Sequence, residues 1–397
     1  MRVLVWQWGR RGAGPRFAAS LVDGLRMIPG TQVLLSLSTG AEILQSPTPP
    51  HCELPVRTYH SAAGLAWRLA QAPLTVPRLA RRLAALQFDV AICAMPGPLD
   101  LMLLAALRLI GVPAIVVVHD ADAHPGDMMP LLMMLQRRLT RKADAVVALS
   151  EHVAARLGEQ RLVDADRVFV LRHPPFMFGP MPSPPLAHGG APRLLCFGRL
   201  LQYKGLDLLA SAMHQLAVPC QWTLRVVGSG PESADLASLR VLAGVTVENR
   251  WVQEGEIGAL FAWADVLVLP YREASQSGVA PAAIAAGRFV VSTRVGGLVE
   301  QLGNEQLATL CEPNAASLAT GLRSVLDASA IPRPSPVPTD PSLAWRDMAE
   351  RLLERTRSLL LGNGRGVHHS TRRGAAWVGR SDTHHVGSAH TPSRPAF

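Results

Sequence analysis

Cysteine is scarce in this chain and badly spaced for any framework. Cys52, Cys93, Cys196, Cys220 and Cys311 are scattered over 397 residues, their number is odd, and none stands at metal-ligand spacing. That argues against a disulfide scaffold and a zinc module, and it points to reduced thiols in a cytosol. Acid is short too: 30 Asp and Glu against 39 Lys and Arg leave a formal charge of +9. A basic balance invites a nucleic-acid or anionic-membrane reading. Location weakens it. The tail after Leu361 holds Arg365, Arg372, Arg373, Arg380 and Arg394 against Asp382 alone, so four of the nine excess charges sit in one glycine- and histidine-rich segment. No interleaving of aromatic and basic residues typical of a nucleic-acid module occurs, so no nucleic-acid partner is expected. A long apolar run is also missing. The most apolar stretch, Leu101 to Val118, is interrupted by Arg108 and divided at Gly111 to Pro113, too broken for a span of about 20 residues. The opening MRVLVWQWGRRGAG lacks a signal-peptide shape and reads as a first buried strand. A soluble, cytoplasmic protein is the expectation.

What is present is apolar residue in quantity (48%) and a length that fits two domains. In chain order, VLVWQWG is a strand and RRGAGPRFAASLVDGL a glycine turn entering a helix. Glycines let backbone amides approach a ligand, which makes Gly12 and Gly14 candidates; an ordinary βα turn is the alternative. TQVLLSLS is a second strand. Within residues 61–87, leucines and alanines recur at helical spacing while Arg78, Arg81 and Arg82 cluster. Such a basic segment suits an anionic bilayer or an acidic acceptor, against the alternative of a solvated helix face. PAIVVVHD is a strand that empties into HDADAHPGD, where His119, Asp120 and His124 sit just past a strand end. A His–Asp metal site and a turn closed by Asp–backbone bonds are rival readings of that loop. The Met and Leu run of MMPLLMMLQRRLTRKA reads as core, and the cluster from Arg137 to Lys142 as cleft edge or surface. Ser150 precedes Glu151 and an apolar run, as a helix cap does. The stretch Pro174 to Pro192 is full of Pro and Gly and marks a domain boundary.

The second half is a repeated βα pattern with polar groups gathered where strands end, an α/β arrangement in which ligands bind outside the carboxyl ends of the strands. It opens RLLCFGRLLQYKG, continues LRVVGSGPE, and closes PYREASQSGVAPAAIAAGRFVVSTRVGGLVE. The spacing suggests a phosphate-bearing ligand held between Arg199, Lys204 and the loop from Glu273 to Gly278.

These blocks resemble, in order and spacing over more than a hundred residues, the C-terminal half of retaining GT-B glycosyltransferases of family 4, the group 1 glycosyltransferases. The HDADAHPGD loop is similar to an HD...HPG loop of some members. The resemblance implies two Rossmann-like domains facing a central cleft: an acceptor-side domain over 1–175, a linker over 176–192 and a nucleotide-sugar-binding domain over 193–335. A helix over 336–361 would pack back on the first domain, and the basic tail 362–397 is expected to be disordered.

The same resemblance implies roles. Arg199 and Lys204 would stabilise the departing diphosphate, with Glu273 at the sugar hydroxyls and His119, placed ahead of His124, positioning acceptor or sugar. Gly198, Gly228, Gly230, Trp251, Val252, Ser277, Gly278 and Val279 would line the donor. Gly12, Gly14, Asp120, His124 and Ser150 would line the acceptor side or cleft. Glu254 and Glu256 read as surface, and Glu300 as cleft or structure. The family's second glutamate is absent: eight positions after Glu273 stands Pro281, and the alternative register puts Ala274 and Ala282 in the two slots. This QSGV form puts ribose recognition in doubt. The expected activity is retaining transfer from a nucleotide-diphosphate sugar, UDP or GDP type, to a glycan or lipid-linked acceptor. No cofactor or metal is expected. Bacterial polysaccharide or glycoconjugate synthesis is the implied setting, with peripheral contact at the inner face of the plasma membrane. The alternative is a glycosyltransferase-like binding subunit without turnover; an epimerase and a nicotinamide dehydrogenase rank below both.

Overall fold

The computed structural model describes residues 1–46, 48–126, 130–180, 182–216, 222–327 and 340–362. The tail after 362, including its basic residues, lies outside them.

In the first half, strands β1 (Arg2–Gln7), β2 (Gln32–Leu37), β3 (Val90–Cys93), β4 (Ala114–Val118), β5 (Ala145–Ala148) and β6 (Val168–Val170) alternate with helices. These are α1 (Ala13–Arg26), α2 (Ala62–Ala70), α3 (Ala72–Leu86), α4 (Asp100–Leu109), α5 (Pro130–Lys142) and α6 (Glu151–Glu159). The second half repeats the scheme with β7 (Arg193–Phe197), β8 (Thr223–Gly228), β9 (Val245–Asn249), β10 (Val266–Leu269), β11 (Phe289–Thr293) and β12 (Ala308–Cys311). Its helices are α7 (Leu206–Leu216), α8 (Ala234–Arg240), α9 (Glu254–Trp263), α10 (Val279–Ala285), α11 (Leu298–Leu302) and α12 (Ala315–Leu326), followed by α13 (Pro341–Gly362).

Each half forms a six-stranded parallel sheet, ordered β2-β1-β3-β4-β5-β6 and β12-β11-β10-β7-β8-β9. Strands such as VLVW in β1 and VLVL in β10 are wholly buried, as parallel strands covered on both faces must be. Strand order reverses beside β1 in the first sheet and between β7 and β10 in the second. That is where ligands settle in such sheets. Two Rossmann-like domains with this facing arrangement define a GT-B fold.

Successive residues of β1 face opposite ways. Val3 and Val5 join α1 in one core, while Leu4 and Trp6 join α3 and α4 in another. Helix α13 lies along α1, with Trp345, Met348, Leu352 and Leu353 buried there. Trp345 Nε1 donates to the Pro175 carbonyl at 2.9 Å. Gly24 permits the approach, since a Cβ there would sit 2.5 Å from the Trp345 carbonyl oxygen. The later part of the linker is pinned to the second domain. Buried Asp265 accepts from the Leu186 and Arg193 amides (2.6 and 2.8 Å) and from His188 Nε2 at 2.9 Å.

The helical spacing within residues 61–87 belongs to two helices, parted at Gln71. One expectation needs correction. The apolar run of α5 is not all core: Leu131 is 54% and Met134 42% exposed, because only Leu139 and Thr140 of that helix are fully covered.

Candidate functional site between the two domains

The loops at the carboxyl ends of the two sheets meet, so residues far apart in sequence become neighbours. Gly198 to Gly205 follow β7 and carry Arg199 and Lys204. Gly205 adopts φ +66°, and a Cβ there would lie 1.8 Å from the Pro270 carbonyl oxygen. Only glycine lets this loop close against the β10 loop. Tyr203, buried between them, organises the cations. Arg199 donates to its hydroxyl at 2.9 Å and lies over its ring, and Lys204 Nζ sits 4.9 Å from its ring centroid and 3.6 Å from that of Tyr271. Burial, then the adjacent Arg199 charge, pull the Lys204 ammonium down to about 7. An anion between the two would restore its charge.

Opposite stands the β4 loop. His124 Nε2 is 3.0 Å from Asp120 Oδ1 and Nδ1 is 2.9 Å from Glu273 Oε1, across the domain gap. Carboxylates accept, so both ring nitrogens donate and the geometry requires an imidazolium. Burial opposes that charge, but the two carboxylates prevail and raise the His124 pKa. The ring stacks on Tyr203 at 4.4 Å between centroids. Asp120 is correspondingly held below its ordinary value: desolvation works against it, and His124 and His119 outweigh that.

His119, expected ahead of His124, is 4% exposed. It is 2.9 Å from the Ala94 carbonyl through Nε2 and packs edge-on against Phe17. Since a carbonyl only accepts, Nε2 carries the proton and Nδ1 is left as an acceptor. Beside it, burial and then His119 drive His173 down to about 3.

Ser150 is a cap, accepting from the Val153 amide at 3.1 Å, and its hydroxyl also donates across the gap to the Ser275 carbonyl at 2.8 Å. Glu300 proves structural. Its carboxylate receives the Glu151 and His152 amides at 2.8 Å each, an anion at the start of α6 reached from the other domain. Ser277 also serves its own loop: its hydroxyl accepts from the Val279 amide (3.2 Å) and its amide donates to Gln301 (2.8 Å). The Ser277 hydroxyl and the Val279 amide, both expected at the donor, are therefore engaged within the loop, and Gly278 lies beside them near Phe176 and His173. Gly228 and Gly230 have a packing role, since a Cβ on either would run into the carbonyls of Gly198 and Leu200. Gly14 is covered by Gln7, whereas Gly12, at φ +82°, and Gly198 have open space where a Cβ would stand.

A wide opening lies at the other end of the gap. A cleft of about 1200 Å³ runs between α1 with the β2 loop on one side and α9 with Phe178 and Pro180 on the other. Arg10, Arg11, Arg16, Glu42, Trp251 and Glu254 line it; Arg199, Lys204 and Glu273 do not. Trp251 is 40% exposed, donates to Glu42 at 3.2 Å, and has Arg11 5.7 Å from its ring, while Val252 behind it is buried. Glu254, expected at the surface, forms an ion pair with Arg16 of the first domain. Arg10 and Arg11 were missed as candidates. Two cations in the first turn after a strand were the available signal. Among the described residues, no group of three or more His, Cys, Asp or Glu could hold a metal ion, and no helix is long and apolar enough to cross a membrane.

Comparison with known proteins places this geometry. Residues 20–174 match the family model Glycosyltransferase Family 4, and residues 191–328 match Glycosyl transferases group 1. These matches support the GT-B, family 4 class. The 2-deoxystreptamine glucosyltransferase of Streptomyces kanamyceticus is 30% identical over 251 residues, which are 56% of this chain and 63% of that protein. The chain thus spans less than two thirds of that relative's length. A glycosyltransferase structure from Rickettsia africae aligns at TM-score 0.64 and 16% identity, over 90% of this chain and 98% of that one. HepE of Anabaena, solved with UDP-glucose, aligns at 0.62 and 15%, over 92% and 99%. At such identities the structural likeness concerns the fold.

Proposed function

We propose that this protein is a retaining glycosyltransferase that moves a sugar from a nucleotide-diphosphate sugar to a glycan or lipid-linked acceptor. The observation that carries the reading is the Arg199–Lys204 pair on Tyr203, at the strand-order reversal of the second sheet and beside the interdomain gap. As the bond from the sugar's anomeric carbon to the diphosphate oxygen breaks, charge collects on the leaving group. Fixed cations there favour the transition state over the ground state. Arg199 offers a planar fork and Lys204 a point charge. The acceptor oxygen bonds to the same carbon on the face the diphosphate leaves, and its proton passes to a departing phosphate oxygen. No strongly basic side chain is then required.

In this reading Glu273 turns from His124 to donor-sugar hydroxyls, and the free acceptor nitrogen of His119 meets a sugar or acceptor hydroxyl. Gly198, Gly278 and the Trp251–Val252 segment border the donor, and Gly12 faces it from the first domain. The donor is of UDP or GDP type, and the reaction needs neither cofactor nor metal. Polysaccharide or glycoconjugate assembly is the setting we favour. The family matches do not favour a binding subunit without turnover.

The test is transfer and binding by purified protein across UDP-, GDP- and ADP-sugars with glycan and lipid acceptors. Arg199→Ala and Lys204→Ala should each lower transfer by about 10²–10³-fold with unchanged melting. Absence of nucleotide-sugar binding, with no loss in either variant, would sink the proposal.

A further inference from the structure

The loop that joins β10 to α10 holds one polar group that the chemistry proposed above does not use. Gln276 stands within it, and the main chain around Gln276 is fixed on both sides. The Ala274 carbonyl accepts from the Gly297 amide at 3.0 Å, and the Ser275 carbonyl from Ser150 of the first domain at 2.8 Å. The Ser277 amide donates to Gln301 Oε1 at 2.8 Å, and the Ser277 carbonyl accepts from Gln301 Nε2 at 3.0 Å. Between two buried serines, Gln276 is half-buried. Its Oε1 is nonetheless enclosed, and it has no hydrogen-bond partner among the described residues. An enclosed acceptor left unmet is costly, and folded proteins keep few of them.

The place of this atom gives it a use. Glu273 reaches His124 across the domain gap and Ser275 meets Ser150 across it, so Gln276 belongs to the lip of the gap. The same block has no second carboxylate. From Ala274 to Val299 the chain carries neither Asp nor Glu, and Ala282 is buried. Glu300, the next acid, is bound to the start of α6. We infer that Gln276 is a specificity-determining residue of the donor site, its Oε1 accepting a hydrogen bond from a hydroxyl of the bound nucleotide-sugar. The inference rests on the transferase reading above. Oε1 only accepts, so a phosphate oxygen cannot satisfy it, and in that reading the base lies at the Trp251–Val252 end. Ribose and transferred sugar both offer the required hydroxyl. A neutral carboxamide thus does at this lip what a second carboxylate would otherwise do.

The test is calorimetric binding, to the full chain, of UDP and GDP, their 2′-deoxy and 3′-deoxy forms, UDP-glucose and GDP-mannose. The parent should prefer the nucleotide to one of its deoxy forms, or the nucleotide-sugar to the bare nucleotide, by about tenfold. Gln276→Met keeps the length of the side chain and removes the acceptor. It should bring that one ratio close to unity and leave the other as in the parent. A collapsed deoxy ratio assigns the hydroxyl to the ribose, and a collapsed sugar ratio assigns it to the transferred sugar. The free variant should melt no lower than the parent, because the unmet acceptor is gone. A purely structural role predicts the reverse, so lower melting with both ratios kept would overturn the inference. Should Gln276→Met misfold, Gln276→Leu reads the same ratios. Variants that fold and bind with both ratios unchanged would overturn this inference alone. A parent that binds no nucleotide would overturn the transferase reading with it.

Discussion

The gap between the two domains is held differently at its two ends. At one end, His124 joins Asp120 to Glu273 and lies flat on Tyr203, the ring that also carries Arg199 and Lys204. At the other, Arg16 pairs with Glu254 and Trp251 reaches Glu42, but about 1200 Å³ stays open beneath them. The closed end depends on a titrating group and a loop glutamate. The open end depends on the Arg16–Glu254 ion pair and a tryptophan. The reacting groups thus sit beside a contact that a ligand or the loss of a proton can undo.

The strongest way to break this contrast is to remove the cations at the closed end. Arg199→Ala and Lys204→Ala should abolish most transfer, as stated above, and Arg11→Ala at the open end should not approach that loss. Equal losses at both ends would erase the distinction. His124→Gln comes next. The His124 pKa lies above its ordinary value of 6.5, so its contribution to closure is complete below that value and is lost as pH rises through the raised one. Amide exchange in the loop 270–278 should therefore quicken with rising pH, beyond its intrinsic pH dependence. In His124→Gln the loop should exchange fast throughout with no such step. Matching profiles would remove His124 as the latch. Asp120 and Glu273, with Lys204 nearby, are the charged groups this latch answers to.

A finer probe concerns Lys204. With its pKa at about 7, the ammonium is mostly neutral in the free protein at about pH 8. Binding a nucleoside diphosphate should then take up close to one proton, which calorimetry in buffers of different ionisation enthalpy would detect. Lys204→Arg keeps a fixed charge and should bind without uptake. Uptake that persists in Lys204→Arg would assign the proton elsewhere.

How much of this was legible beforehand follows from what sequence periodicity reports. Runs such as VLVW and PAIVVV, each ended by a polar or glycine turn, reveal buried parallel strands, because the local pattern itself is the signal. Strands of both halves were visible in that way, whereas the pairing of two facing domains came with the family resemblance and the boundary was read from the Pro and Gly content of 174–192. The site's partners were not legible. Ser150 with Ser275, His124 with Glu273 and Arg16 with Glu254 are separated by 125, 149 and 238 residues. No spacing rule spans such distances. Glu254 therefore read as surface and His119 ahead of His124, although the β4 loop aims the second ring across the gap and buries the first. The outward turn of Leu131 and Met134 was hidden for a related reason: a helical apolar run does not say how much of its circumference a neighbour covers.

The smallest effect is expected at Trp251, and it sharpens the comparison most cleanly. Its indole is two-fifths exposed, hydrogen-bonded to Glu42 and faced by Arg11, so truncation removes one neutral-to-charged bond and one cation–π contact. Contacts of these kinds at exposed sites are each worth about 1 kcal/mol. Trp251→Phe keeps the ring and loses the bond; Trp251→Ala loses both. If the open end borders the donor, Trp251→Ala should weaken nucleotide-sugar affinity by about three- to tenfold, with Trp251→Phe between it and the parent. The pH dependence of loop exchange should be the same in all three proteins, because the latch at His124 lies at the far end of the gap. A shift of that profile in Trp251→Ala would mean that the two ends move as one, and the contrast drawn between them would have to be abandoned.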